Sequence, residues 1–120
     1  MKRWLITRPF NAFLYSLAGM RTALASERAF QQEAIVFIIL LVVVPSSEVD
    51  FHSAVLILLA WTVVMVAELL NSAIEACFDR ISTEDHALAK IGKDLASAAV
   101  FLSILFNIGL WIAVGARYYN

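Results

Sequence analysis

The fold is decided by an apolar stretch near the C-terminus, Leu95–Ala116, which reads LASAAVFLSILFNIGLWIAVGA. It contains 22 residues and no charged side chain, and about 20 such residues suffice for a helix to cross the hydrocarbon of a bilayer. Arg117, Tyr118 and Tyr119 follow directly. Basic and aromatic side chains of this kind anchor a span at the membrane interface. The stretch therefore predicts a transmembrane helix.

Two more apolar stretches precede it. Ala34–Ser47 has 14 uncharged residues, too few to cross alone, so we expect that span to begin near Arg28. Phe51–Ala67 lacks Asp, Glu, Lys and Arg, and its helical pattern continues beyond Glu68. The predicted spans are 28–46, 51–81 and 91–117.

Composition supports a single all-α membrane domain over residues 1–120. Hydrophobic residues make up 62% of the chain, against roughly 45–50% in soluble domains. A soluble protein of this size could not bury so much apolar surface, so lipid must cover the excess. The net charge is -1, which gives no basic field for nucleic acid. The single cysteine, Cys77, excludes an internal disulfide and is interpreted as a packing residue.

The N-terminal segment 1–26 has an amphipathic pattern. Apolar side chains such as Phe10, Leu14, Leu17 and Leu24 recur at spacings of three and four, with polar residues largely between them. We expect a surface helix that lies in the plane of the membrane interface. The alternative is a helix that packs only on its own protein.

The orientation follows from the distribution of lysine and arginine. Most of these residues lie in the N-terminal segment and around the second loop, Ser82–Ile91, while the first loop, Ser46–His52, has none. Basic residues favour the cytoplasmic side of a membrane. We therefore predict a multi-pass protein with its N-terminus and second loop in the cytoplasm.

Acidic and polar residues interrupt the inner half of the second span. Glu68, Asn71, Ser72, Glu75 and Asp79 follow one another at offsets that fall on one helical face, at about 100° per residue. A charged group within a span costs at least roughly 2.5–3.5 kcal/mol to insert. Since packing does not repay that cost, the stripe is interpreted as part of an active site.

The residue types in and near the stripe suit phosphoryl transfer. Paired carboxylates bind Mg²⁺, which completes its shell with water and phosphate oxygens. A further carboxylate can serve as general base. Lys93 and Asp94 open the third span on the same side, and a lysine beside acidic ligands suits a phosphate-bearing substrate. The alternative is that Glu75 or Asp79 only forms ion pairs across helices with Arg80, Lys93 or Arg21.

A longer motif carries a family resemblance. The stretch Glu68–Arg80 reads ELLNSAIEACFDR, which closely resembles the E-x-x-N-(S/T)-A-I-E-x-x-x-D motif of the bacterial integral-membrane diacylglycerol kinases. The likeness extends over nearly the whole chain. It includes Tyr15, Ser16, Gly19, Arg21, Glu27, Ala29, Phe30, Gln32, Glu33, Lys93, Asp94, Ser97, Ala98 and Ala99.

The resemblance implies a homotrimeric enzyme of the bacterial inner membrane. Such an enzyme moves the γ-phosphate of ATP, with Mg²⁺, to the hydroxyl of diacylglycerol and forms phosphatidic acid. The general base matches Glu68, and the metal-binding carboxylates match Glu27 and Glu75. Asn71 and Asp79 belong to the same motif and are expected to support the site.

The resemblance also implies the substrate contacts. The expected ATP-binding residues are Arg8, Tyr15, Glu27, Glu75, Glu84, Asp85, His86, Lys93 and Asp94. The expected lipid-substrate contacts are Ala12, Phe13, Leu14, Tyr15, Ser16, Leu17, Arg21, Thr22, Ala23, Leu24, Ala29, Phe30, Gln31, Gln32, Glu33, Glu68 and Ser97.

Three positions depart from the family pattern. Leu17, Ala18 and Gln31 stand where well-known members have Trp, Lys and Arg, which puts the fine substrate preference in doubt.

The alternative function within the class is an undecaprenol kinase. An alternative of another class is a small proton-coupled membrane transporter, but that would need polar groups accessible from both faces. A purely structural membrane subunit would not explain the acidic stripe.

Overall fold

The protein is all-α, as predicted. The computed structural model describes residues 3–81 and 87–119, and all but a few of these are helical. The helices are α1 Arg3–Ser26, α2 Arg28–Ser46, α3 Phe51–Ile81 and α4 Ala87–Tyr119.

Three of these helices, α2, α3 and α4, are long and apolar enough to cross a membrane, which confirms the prediction of three spans. Most of their large apolar side chains are exposed, as on Ile39 and Phe106. In a bilayer that surface contacts lipid, and each helix satisfies its own backbone hydrogen bonds.

Helix α4 begins at Ala87, before the predicted start of the third span at residue 91, so the second loop is shorter than expected. The extra turn consists of good helix formers. It is also supported by an ion pair between Lys90 Nζ and Asp94 Oδ2 at 2.6 Å, the i,i+4 spacing that favours a helix.

The three spans alternate in direction. The connection 47–50 between α2 and α3 is too short for anything but an antiparallel pair. As a result, Glu27, Glu75 and Asp79 lie toward one end of the bundle, called here the acidic end. Asp50 and Tyr118 lie at the opposite end, called here the far end.

Helix α3 is central, because it packs against both α4 and α2. Leu40, Val44 and Ile57 form the core between α2 and α3. Between α3 and α4 the amide of Asn107 donates to the backbone carbonyl of Ala60 at 2.8 Å. A buried amide bonded to a neighbouring helix is a common way to hold two helices together within a membrane.

Helix α1 leaves the bundle at Glu27, where the backbone is extended, with φ -99° and ψ 105°. It packs chiefly on α2. Ala23 is buried near this junction, while Phe10, Phe13 and Leu17 are each more than half exposed. Such an exposed apolar face fits a helix that lies in the membrane interface, and that location stays a prediction.

Candidate functional site

Glu27 is the residue that joins α1 to α2. It occupies the N-cap position of α2, but its side chain makes no capping hydrogen bond. The carboxylate instead turns toward α3, where the Ser72 hydroxyl donates to Glu27 Oε2 at 3.3 Å. A break between two helices therefore delivers an acidic side chain to the polar stripe of α3.

The carboxylates of Glu27, Glu68 and Glu75 lie on this side of α3, and Glu33 of α2 is next to Glu68. The charges of Glu75 and Glu27 both lie close enough to act on Glu68, and Glu68 in turn acts on Glu33 of α2. Within residues 3–81 and 87–119, no lysine or arginine forms an ion pair with any of them. Like charges held together in a membrane protein repel one another unless a cation or a proton offsets them.

The donor set suits a hard divalent cation. Glu27 and Glu75 supply carboxylate oxygens, the ligands that Mg²⁺ prefers. Among the described residues, no three His, Cys, Asp or Glu side chains converge to hold a metal ion on their own. Fewer than three protein ligands still fit Mg²⁺, which usually takes one or two protein carboxylates and fills its shell with water and substrate phosphates.

Lys93 stands at the acidic end, across from the last turns of α3. Its Nζ lies 2.5 Å from Asp79 Oδ1, so the ion pair that the sequence left as an alternative is present. Both side chains remain at least 40% exposed. Asp94 faces away toward Lys90. The structure therefore brings Asp79 and Lys93 together.

Comparison with known proteins identifies the family. The model of the prokaryotic diacylglycerol kinase family matches residues 14–114. The diacylglycerol kinase of Escherichia coli strain K12 is 40% identical over 105 residues, which cover 88% of this chain and 86% of the relative. The enzyme of Pseudomonas aeruginosa is 37% identical over 109 residues, 91% and 89% of the two chains. That of Helicobacter pylori strain 26695 is 37% identical over 111 residues, 92% and 84%.

The chain belongs to the prokaryotic diacylglycerol kinase family. The resemblance seen in the motif is thereby confirmed, and the chain is an enzyme of the lipid kinase class. A proton-coupled transporter and a purely structural subunit are set aside by the same finding. All of the carboxylates discussed above lie inside the matched region.

Some of the ATP-binding residues expected from the diacylglycerol kinases are not gathered by a single chain. Arg8 lies 18 positions before the end of α1 at Ser26, which is roughly 27 Å along a helix. Its guanidinium instead lies over the ring of Trp4, 5.5 Å from the centroid. Tyr15 is on the same helix and exposed. The assignment of both to ATP stays a prediction, as does that of Glu84, Asp85 and His86, which lie outside the described residues.

The expected lipid contacts divide into exposed and buried groups. Most of those on α1 are exposed, whereas Ala23 and Phe30 are 4% and 1% exposed and pack inside the chain. Gln31 donates its side-chain amide to the backbone carbonyl of Leu24 at 2.9 Å and so ties α2 to the end of α1. Ser97 is exposed on α4. A lipid role for Ala23 and Phe30 would be indirect, through the position of α1.

Asn71 faces a groove between α3 and α4. The groove has a volume of about 680 Å³ and an almost wholly apolar lining that includes Leu70, Leu95 and Ala99. The Asn71 Oδ1 atom is buried and has no hydrogen-bond partner among the described residues. Asn71 thus lies on the α4 side of the stripe, while Glu27 approaches from the α2 side.

Sequence reasoning missed Trp61. Its indole Nε1 donates to the backbone carbonyl oxygen of Glu33 at 2.9 Å, across the α2–α3 interface. A signal was available, because Trp61, Glu68 and Glu75 are spaced by seven residues and seven residues complete nearly two helical turns. Within a span a tryptophan also counts as ordinary apolar content, so this spacing alone did not single out Trp61.

Proposed function

We propose that this protein phosphorylates diacylglycerol to phosphatidic acid, with MgATP as phosphate donor, at the cytoplasmic surface of the bacterial inner membrane. Glu68 serves as general base, and Glu27 and Glu75 hold the metal. The proposal extends the family assignment to the chemistry of named side chains.

The observation that carries the proposal is the cluster of Glu27, Glu68 and Glu75 without a basic partner among the described residues. A purely structural ion-pair network would include Lys or Arg beside these carboxylates. A magnesium site calls for carboxylates that remain available until the metal and nucleotide arrive. Asp79, one turn beyond Glu75 on α3, pairs with Lys93, a cation suited to phosphate.

The proposed phosphoryl transfer moves one proton, forms one bond to phosphorus and breaks another. The carboxylate of Glu68 accepts the proton of the lipid hydroxyl, and the hydroxyl oxygen forms a bond to the γ-phosphorus of ATP. The bond between that phosphorus and the β–γ bridging oxygen breaks, and ADP leaves. Glu27 and Glu75 would hold Mg²⁺, which would supply positive charge against the negative charge that develops on the phosphate. Glu68 suits the role of base because it is the member of the stripe deepest in the membrane, toward the lipid.

The assembly proposed for the enzyme is a homotrimer, on the strength of the family resemblance alone. It offers a route by which exposed residues of α1, such as Arg8 and Tyr15, could reach the carboxylates of a neighbouring subunit. The exposed apolar faces of α3 and α4 leave room for such contacts.

The deciding experiment supplies the purified protein in lipid vesicles with γ-labelled ATP and either diacylglycerol or undecaprenol. We expect label in phosphatidic acid, with a strict requirement for a divalent cation. Glu48→Gln is a matched control, because Glu48 is an exposed carboxylate in the connection at the far end. Labelled undecaprenyl phosphate as the dominant product would replace the proposal with the undecaprenol kinase alternative. No labelled lipid from a folded protein would overturn both.

A further inference from the structure

The carboxylates of the proposed site come from two helices whose relative position must be set by something other than the carboxylates. Glu27 and Glu33 belong to the α2 side, while Glu68 and Glu75 belong to α3. Glu68 and Glu33 are near enough for their charges to interact unfavourably. The distances between these carboxylates depend on how α2 sits on α3, so a contact that fixes this position also fixes the site.

Trp61 makes such a contact. Its indole N–H bonds to the main chain of α2 at Glu33, the residue whose carboxylate faces Glu68. A helix carbonyl has two lone pairs, so it can accept the indole N–H in addition to its own helical hydrogen bond. The bond therefore fixes the backbone of α2 at that level without disturbing the helix.

The same side chain is packed into the helix interface. Trp61 lies against the core cluster of Leu40, Val44 and Ile57. The ring is held by apolar contact on the far-end side, and its N–H points to Glu33 on the acidic side. Because an indole has only two side-chain torsions, a packed ring directs its donor rigidly. Hydrogen bonds between helices in a membrane act mainly on such relative placement.

The spacing between Trp61 and Glu68 along α3 connects the Trp61 hydrogen bond to the proposed site. Trp61 precedes Glu68 by seven residues on α3 and therefore lies on nearly the same face, about two turns away. A slide or rotation of α2 on α3 would change the distances from Glu68 to Glu33 and from Ser72 to Glu27 together. The contact that prevents this movement controls both the base and the metal side of the site.

We propose that Trp61 is a positioning residue for catalysis: its indole N–H holds α2 in register with α3, so that the carboxylates of Glu27 and Glu33 are correctly placed against Glu68. The inference rests on the proposed function, in that Glu68 is taken to be the base.

The test uses two substitutions that distinguish the effect of the aromatic ring from the effect of its N–H donor. Trp61→Phe keeps an aromatic ring and removes the N–H. Trp61→His keeps a ring N–H at the same number of bonds from the backbone and loses bulk, and at pH 8 it is neutral. The control is Trp111→Phe, which changes an exposed tryptophan on α4. Activity, the KM for each substrate and thermal stability are measured on the full chain in lipid vesicles.

We expect kcat to fall roughly tenfold in Trp61→Phe, since a displacement of about 1 Å can cost as much as 10²-fold. The Mg²⁺ concentration for half-maximal activity should rise in the same variant, because Glu27 is displaced together with α2, and Trp61→His should recover most of kcat despite its smaller ring. Trp111→Phe should equal the parent. An unchanged kcat in Trp61→Phe overturns the proposal. So does a loss of activity that follows ring volume and thermal stability in both variants, because it would assign Trp61 to packing alone.

The two hypotheses fail in different ways. If Glu68→Gln retains full turnover, the assignment of the base fails, whatever the Trp61 variants do. If Glu68→Gln is inactive and Trp61→Phe is normal, only the positioning role is lost.

Discussion

The ammonium group of Lys93 lies 2.5 Å from the carboxylate of Asp79 and thereby joins the end of α3 to the beginning of α4. Both residues belong to the sequence features that predicted the site, one as a phosphate contact and the other as support. The pair gives them a joint role. In the proposed mechanism Asp79 orients the ammonium group, and Lys93, whose side chain is 40% exposed, contacts nucleotide phosphate.

The first prediction concerns this pair. Lys93→Ala should lower kcat/KM for MgATP roughly 10²-fold, the usual effect of removing one charged contact to a reacting phosphate. Lys93→Arg should recover only part, because a planar guanidinium presents its donors differently from an ammonium group. Asp79→Asn should cause a smaller loss, since it misdirects Lys93 without removing it. Steady-state kinetics with varied MgATP measure all three, and parental values for both Lys93 variants would leave Lys93 as a structural ion-pair partner only.

The second prediction concerns Glu68. Glu68→Gln preserves the shape of the side chain and removes its basicity. It should bind MgATP nearly normally and lower lipid phosphorylation by roughly 10²–10⁴-fold, the range for loss of a general base. Equilibrium nucleotide binding and single-turnover transfer should be measured on the same preparation. Turnover within a few-fold of the parent would refute the base role, and loss of nucleotide binding would instead move Glu68 to the metal or phosphate contacts.

The third prediction concerns metal. Glu27→Gln and Glu75→Gln each remove a charged oxygen ligand, so each should raise the Mg²⁺ concentration for half-maximal activity by roughly tenfold or more. Assembly should remain intact, because neutralising a partly buried carboxylate also removes a desolvation cost. A magnesium titration at fixed ATP gives the answer, with Glu48→Gln as control. Normal activity of both variants at limiting Mg²⁺ would contradict the assignment.

The fourth prediction concerns orientation. Ser47 lies in the exposed connection at the far end, which the distribution of basic residues places outside the cytoplasm. In a Cys77→Ser background, Ser47→Cys should react with a membrane-impermeant maleimide in intact cells whose outer membrane is permeabilised. Ala87→Cys, at the start of α4, should react only after the inner membrane is opened. The reverse pattern would invert the topology.

The fifth prediction concerns acid stability. At the far end the Tyr118 hydroxyl donates to Asp50 at 2.5 Å and the Ser53 hydroxyl donates to it at 2.7 Å, and together with Arg117 these contacts hold the pKa of Asp50 well below its usual range. A lowered folded pKa stabilises the protein above the unfolded pKa, near 4, and the stabilisation is lost as pH falls through the lower folded value.

Tyr118→Phe removes the largest of these contacts. It should therefore melt below the parent at neutral pH, and the difference should shrink as the pH falls below about 4. Melting temperatures of the reconstituted protein between pH 7 and pH 3 measure this effect. Tyr119→Phe serves as control, because Tyr119 is 92% exposed. A difference that is constant with pH would show that Tyr118 acts through packing rather than through the charge of Asp50.

Local sequence patterns were sufficient for much of the fold. The uncharged stretch at Leu95–Ala116 and the two before it identified the helices that can cross a membrane. The reason is that a span is defined by its own length and polarity. Helix α4 begins a turn before the predicted span, because Lys90 was expected in the loop although its pairing with Asp94 supports a helix.

The acidic stripe on α3 was also determined by the sequence alone. Residues three, four and seven positions apart share a face of any α-helix, so Glu68, Asn71 and Glu75 had to lie together once α3 was helical. Glu27 was different. The predicted end of the surface helix at residue 26 and start of the span at residue 28 put a break there, but its place in the site came from the family resemblance. Nothing in its local sequence indicates that this break directs the carboxylate to Ser72.

Only the tertiary structure decided which contacts cross between helices. The hydrogen bonds from Ser72 to Glu27, from Trp61 to Glu33 and from Lys93 to Asp79 join residues 45, 28 and 14 positions apart. Helical periodicity orders the side chains of one helix, but it does not say which face of a neighbour they meet. That choice is made by packing among α2, α3 and α4, where the apolar core sets the register that the polar groups then share.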